Sequence, residues 1–339
     1  MKKILFVLTI ILLFKSIVIS QQTGDTAKFT SKNNFFANVY TKFYGTKFDG
    51  GKKIGFLFHT GLLGYCNQIS KKVKGTIIFD VTRTTNAISV VDSNGNTLKV
   101  SYFEGSKYTA YLKMAEIEWQ FAKNFYAKAG QLLNTQYLTF VDKFWEHRYV
   151  EVTMQELYRF GNPADFGFEL SYVQQQKINC ELGVFNGEGP FRHQDENSNL
   201  LVSGNIQYFV AKPLIVKLYV ARHFAKLDTL SNKDFLSFFV GWKNKRFSLA
   251  GEMAIVKNAD FLKENWLGAS VFAYYNINNQ WQIFYRFDYI QKSATFTNNT
   301  LHIAGFQFKP TENFFISLNY QNNRFLNENS LFVALGLKF

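Results

Sequence analysis

Leu331-Phe332-Val333-Ala334-Leu335-Gly336-Leu337-Lys338-Phe339 is the stretch whose reading decides the fold. Leu331, Val333, Leu335, Leu337 and Phe339 take alternate positions, and Phe332, Ala334, Gly336 and Lys338 fill those between. A period of two belongs to a strand, whose successive side chains point to opposite faces. The alternation recurs upstream. Residues 313–323 set Phe314, Ile316, Leu318 and Tyr320 against Phe315, Ser317, Asn319 and Gln321. Residues 280–291 set Trp281, Ile283, Tyr285 and Phe287 against Gln282, Phe284, Arg286 and Asp288. Segments 245–257, 213–224 and 177–186 behave alike, with Leu249 and Met253, Val216 and Leu218, and Leu182 and Val184 on their apolar faces.

Carried through the chain, the pattern predicts sixteen strands, near 33–45, 53–65, 74–84, 108–121, 125–134, 164–175, 177–186, 198–211, 213–224, 234–243, 245–257, 265–277, 280–291, 299–309, 313–323 and 331–339. The first four are the least regular, which leaves fourteen as the alternative count. Short connections (122–124, 175–177, 211–213, 243–245, 277–280, 309–313) alternate with longer ones (85–107, 135–163, 187–197, 225–233, 258–264, 292–298, 324–330). Pro163, Pro190, Pro213 and Pro310 all fall in connections or at a strand's first residue, where no ladder donor is lost. Trp119, Trp242 and Trp281 flank short turns and Trp266 opens a strand after a long loop, the placement an interfacial aromatic girdle predicts.

Aromatic residues make up 18% of the chain, with 38 Phe and 18 Tyr, a composition that suits strands. After Gln22 no unbroken apolar stretch is long enough for a spanning helix. Together these predict an all-β, transmembrane antiparallel β-barrel, its first faces toward lipid and its second toward the lumen. A soluble β-sandwich would alternate too, but leaves unexplained an apolar face repeated across so many hairpins. No linker or composition break divides residues 21–339.

The N-terminus reads as a signal peptide over residues 1–20. Lys2 and Lys3 precede an apolar run from Ile4 to Phe14, and Val18-Ile19-Ser20 offers a cleavage point. The formal net charge is +13, of which Lys2, Lys3 and Lys15 carry three. Thirty of the 38 basic residues are Lys and none forms a run, so no nucleic-acid partner is expected. Cys66 and Cys180 do not fall on neighbouring strands and are expected to be free. The final strand resembles the C-terminal signal of outer-membrane barrels, which implies a Gram-negative outer membrane and its barrel-insertion machinery as a partner.

The longest connection, 135–163, is the third on the long-loop side. It interleaves aromatics with charges: Phe140-Val141-Asp142-Lys143-Phe144-Trp145-Glu146-His147-Arg148-Tyr149. Such a segment suits packing against an inner wall, with its charges toward the passage; an external lid or a protein-contact loop is the alternative. The stretch from Gly130-Gln131 through Trp145-Glu146-His147-Arg148 and Tyr158-Arg159-Phe160 to Asp165-Phe166-Gly167 resembles the phosphate-selective porin O and P family. The resemblance implies a sixteen-stranded, trimeric channel for small anions whose third loop folds inward. Lys143, His147, Arg148 and Arg159 are the expected constriction residues. Strand parity turns Lys128, Lys217, Arg246 and Arg286 inward; for Arg286 an ion pair with Asp288 is the stronger expectation. The phosphate-specific members rely on an arginine ladder and a lysine cluster. Here there are eight Arg in all, and the inferred lumen also carries Glu169, Glu181, Glu252 and Asp288.

Enzyme signals are weak. His59, His147, His193, His223 and His302 show no metal-ligand spacing, and there is no nucleophile elbow or phosphate loop. The sequence calls for no cofactor and no catalysis. Passive diffusion of small hydrophilic solutes, anions among them, is the favoured function. A non-channel outer-membrane barrel serving structure, secretion or motility is the alternative.

Overall fold

The computed structural model describes residues 31–91, 97–138, 140–190, 199–225, 231–259, 261, 263–293, 298–324 and 326–339, with 83–91, 97–107 and 298 described by their backbone. The signal-peptide reading of residues 1–20 lies outside them. Sixteen antiparallel strands close into one barrel, each paired with its sequence neighbours and the first with the last. They are β1 (Lys32–Phe48), β2 (Gly51–Gln68), β3 (Val73–Val91), β4 (Thr97–Ala122), β5 (Phe125–Leu133), β6 (Ala164–Gln174), β7 (Ile178–Phe185), β8 (Leu201–Ala211), β9 (Leu214–His223), β10 (Lys233–Lys243), β11 (Phe247–Ala259), β12 (Glu264–Asn276), β13 (Trp281–Lys292), β14 (Asn298–Thr311), β15 (Phe314–Asn323) and β16 (Glu328–Lys338). Closure runs in register from Asn38 opposite Lys338 to Lys47 opposite Asn329. It is finished by the Phe339 N–H donating to Ala37 O at 2.8 Å.

Parity decides which side chains meet what. On β13, Trp281, Ile283 and Tyr285 are 45, 38 and 45% exposed, while Gln282, Phe284, Arg286 and Asp288 between them are 6, 4, 1 and 0%. The same division separates exposed Leu318 and Tyr320 from buried Ser317 and Asn319 on β15, and exposed Leu249 and Met253 from buried Ser248, Ala250 and Glu252 on β11. An outward face of Leu, Val, Phe and Tyr with a polar interior inverts a soluble protein. Only hydrocarbon covers such a surface at no cost. Trp119, Trp242 and Trp281 are exposed beside short turns. They lie against Phe121, Phe247 and Phe308, with ring centroids 4.7–5.7 Å apart, as in an interfacial girdle.

Two expectations are corrected. Trp266 does not belong to the girdle: it lies against Phe160 inside the barrel, with the Lys292 ammonium 3.7 Å above its ring. Its parity on β12 is that of inward Gly268 and Ser270. Much of the expected loop 85–107 is ladder, since β3 and β4 stay paired out to Val91 opposite Thr97. Residues Ala87-Ile88-Ser89-Val90-Val91 and Val100-Ser101-Tyr102-Phe103 are β-prone and alternate, so the pairing simply continues. Cys66 and Cys180 are both free.

Candidate pore constriction

Between β5 and β6 the chain turns into the barrel. Two short helical segments, α1 (Val141–Trp145) and α2 (Met154–Leu157), carry the loop across the lumen. Its aromatics dictate this course. Phe140, Phe144, Trp145 and Tyr149 are buried against the inner wall with Phe239, Phe272, Tyr274 and Phe284. Phe144 meets Phe239 at 5.1 Å between ring centroids, and Trp145 meets Phe272 at 5.7 Å. Further along, Met154 and Phe160 join Tyr219, Phe235, Val256 and Ile290. The wall makes room: a Cβ at Gly241 would stand 2.5 Å from a Phe144 ring carbon, so glycine permits the approach. Burying four aromatic side chains contributes on the order of 1.5–3 kcal/mol each before ordering costs.

Polar ties fix the same pose. The Tyr149 hydroxyl donates to Gln307 Oε1 at 2.8 Å, and Gln155 Nε2 donates to Glu252 Oε2 at 2.6 Å and Ser237 Oγ at 3.0 Å. Arg286 donates to Val152 O, Lys217 to Gln136 O, and Lys292 to Tyr158 O. Lys42 pairs with Glu151 at 3.3 Å. Burial alone would raise the Glu151 carboxyl; Lys42, then His59 and Arg286, outweigh it and hold it at about 2.

The charged face of the loop looks away from those contacts. Arg148 donates to both oxygens of Glu156 at 2.6 Å and to Asp142 Oδ2 at 2.9 Å. Burial raises Asp142 against the pull of Arg148, whereas for Glu156 the bidentate arginine outweighs burial and lowers it. Within electrostatic reach of this face lie Asp80 and Lys113 of β3 and β4. Lys113 Nζ donates to Asp80 Oδ2 at 2.7 Å, with the Tyr111 and Thr60 hydroxyls on the same carboxylate. His59, the extra residue of a bulge in β2, also faces Arg148. Two cations, Arg148 and Lys113, thus meet three carboxylates, Asp80, Asp142 and Glu156, for a formal charge of −1. No group of three metal-ligating side chains occurs among the described residues.

The structure distributes the expected site residues as follows. Arg148 lies at the charged face, neutralised within its own loop. Lys143 is exposed on α1. His147 is corrected: it is fully buried, with Nδ1 facing Trp145 O and Nε2 facing Gln282 Oε1, and presents no exposed surface. Burial pushes it down to about 4 against the upward pull of those two oxygens. Arg159 is exposed at φ +61° with no carboxylate partner among the described residues. Lys128 faces inward and pairs with Glu169 at 2.8 Å. Arg286 pairs with Asp288 at 2.6 Å, as expected, and stacks over Trp145. Lys217 faces inward but is covered by the loop. Arg246 is corrected: it sits exposed in the turn before Phe247, one residue short of the strand whose parity aimed it inward. Asp80, Lys113 and His59 were missed. A carboxylate in the apolar run Ile77-Ile78-Phe79-Asp80-Val81 was the available signal.

No protein-family model matches the chain, and no curated protein sequence does. Solved structures do. The anion-selective porin from Comamonas acidovorans is 11% identical, with a TM-score of 0.62 over 91% of this chain and 100% of that one. OmpF of Salmonella typhi, in complex with daunomycin, is 12% identical with a TM-score of 0.64 over 91% and 98%. OmpT of Vibrio cholerae, in its trimer form, is 10% identical with a TM-score of 0.60 over 91% and 99%. At such identities the likeness is one of fold: the chain has the closed sixteen-stranded barrel of outer-membrane porins.

Proposed function

We propose that this protein is an outer-membrane porin through which small hydrophilic solutes diffuse passively. The observation that carries this reading is the inward loop, which leaves one charged face opposite Asp80 and Lys113 instead of filling the lumen with apolar side chains alone. Fixed charge between low-dielectric walls acts on every ion that passes. With cations and carboxylates nearly balanced there, the constriction is weakly selective, and it is no phosphate filter. Anion preference is assigned instead to the outer side of the loop, around Arg159. Residues 1–20 direct export, the barrel-insertion machinery receives the final strand, and three copies assemble, a reading supported by the trimer form of OmpT.

The test is conductance of the purified, folded protein in planar bilayers, with reversal potentials in a salt gradient. Discrete channels with a permeability ratio near unity are expected. Folded protein without channels would favour the structural or secretion-linked barrel.

A further inference from the structure

The two ends of the barrel differ in charge. The short connections, 69–72, 123–124, 175–177, 212–213, 244–246, 277–280 and 312–313, carry seven cations and one acid, Glu312, for a formal charge of +6. The connections at the opposite end, the inward loop left aside, carry seven acids and four cations in sequence, for a formal charge of −3. The cations of the short turns are exposed, among them Lys72, Lys123, Lys177, Lys212, Lys245 and Arg246. None of these six has a carboxylate partner among the described residues. Unpaired charges of one sign gathered on one rim add their potentials and draw anions to it.

Their level along the barrel decides which anions they meet. Trp119, Phe121, Phe125 and Tyr172 form a row of rings, with successive centroids 5.7, 6.0 and 4.9 Å apart. Lys123 stands in the turn between Phe121 and Phe125. Trp242 and Phe247, 5.7 Å apart, bracket Lys245 and Arg246 in the same way. Trp119, Phe125 and Trp242 are 43, 44 and 37% exposed on the outer face, so these rings look toward lipid and not into the lumen. Such rings rest at the boundary of hydrocarbon and headgroups. Lys and Arg stems carry their charge beyond that boundary, into the layer of the lipid phosphates.

We propose that the short-turn rim binds the headgroups of anionic phospholipids and keeps a shell of them around that end of the barrel. The Arg246 guanidinium takes a phosphate as a fork, and the lysines act as point charges beside it. A zwitterionic lipid offers the same phosphate but brings its own ammonium, so the rim discriminates by net charge. Each basic group near the surface adds to the attraction, which falls off within a Debye length. A barrel that conducts nothing would hold the same lipids, so this binding does not rest on the channel reading.

Spin-labelled lipids test this in the folded protein reconstituted into phosphatidylcholine vesicles. The motionally restricted fraction of labelled phosphatidylglycerol is compared with that of labelled phosphatidylcholine. A preference of about fivefold for phosphatidylglycerol is expected at low salt, falling below about twofold near ~1 M salt, where screening acts within about 3 Å. The triple variant Lys123→Gln, Lys245→Gln, Arg246→Gln should at least halve the low-salt preference. A triple variant at the opposite end, Lys52→Gln, Lys53→Gln, Lys263→Gln, removes the same charge and should leave the preference unchanged. All six positions are exposed, and heat-modifiable gel migration confirms that each variant is folded. No preference in the wild type, or an equal loss in both triple variants, overturns the proposal. A lipid preference that survives in the rim variant while binding of poly-L-glutamate is lost also overturns it, and assigns these cations to an acidic polymer.

Discussion

Arg148 and Arg159 stand on one loop, eleven residues apart, and do different things. Arg148 carries Glu156 and Asp142 with it, so its charge is cancelled before any solute meets it. Arg159 follows α2 in a left-handed turn, with no ion-pair partner among the described residues. The loop between them is anchored equally well at both ends, by Phe144 and Trp145 on one side and Met154 and Phe160 on the other. The difference teaches that the charge an arginine presents inside a barrel is set by its partners within a few ångströms, not by the net charge of the chain.

The largest effect expected is on the anchor beneath Arg148. Trp145→Ala removes a 1%-exposed indole from between Phe272, Phe284 and Arg286, and should cost about 3–5 kcal/mol. A lower urea midpoint and a larger single-channel conductance would be measured together. Unchanged conductance would mean that the pose of the charged face does not depend on this core.

Next come the charges themselves. Arg148→Ala leaves Asp80, Asp142 and Glu156 facing only Lys113, and Arg148→Glu adds a fourth carboxylate. Reversal potentials should move toward cations in that order. Glu156→Gln should move them the other way, by less than Arg148→Glu. If all three match the wild type, the triad lies off the solute path and the contrast with Arg159 loses its meaning.

Acid should loosen the Arg148 half before the Arg159 half. His147 is held near 4 when docked, below its ordinary 6.5, so its contribution is complete above about pH 6.5 and is lost as pH falls toward 4. The linkage slope of about 1.4 kcal/mol per pH unit limits this loss to at most about 3.5 kcal/mol. Glu151, depressed to about 2, adds a second loss between its ordinary 4.5 and 2. Proteolytic nicking of the loop, followed from pH 7 to pH 4, should rise across the first window in the wild type and stay flat there in His147→Gln. The smallest effect belongs to Arg159→Asn. It should change stability by no more than about 0.5 kcal/mol, as exposed substitutions do, and move reversal potentials toward cations by less than Arg148→Ala does.

Barrel and wall were legible because most strands, the later ones above all, obey a period of two, and parity then aims each side chain without further information. Lys128, Lys217 and Arg286 face inward for that reason. Parity fails where the strand ends, which is why Arg246 lies outside the face it was aimed at; for Trp266 parity points inward, and only its place at the strand end suggested the girdle. The loop was legible only as a composition. Its aromatics announced burial, but a residue's partner inside a loop depends on turns that no period encodes. Hence Glu156, eight residues past Arg148, and His147, aimed at Gln282 on a distant strand, could not be placed from the sequence.

The seam between β1 and β16 bears on how the molecule is made. Asn38 opposite Lys338 is a contact between the two ends of the described chain, so no closed state exists until the last strand has emerged. Every earlier state is a growing sheet with two open edges, each a template for the wrong neighbour. Ordering so many residues before the final ladder forms makes for high contact order and slow folding. Time spent open, more than the strength of any one contact, then sets the yield of folded barrel, and a holdase would act by masking the edges while it lasts.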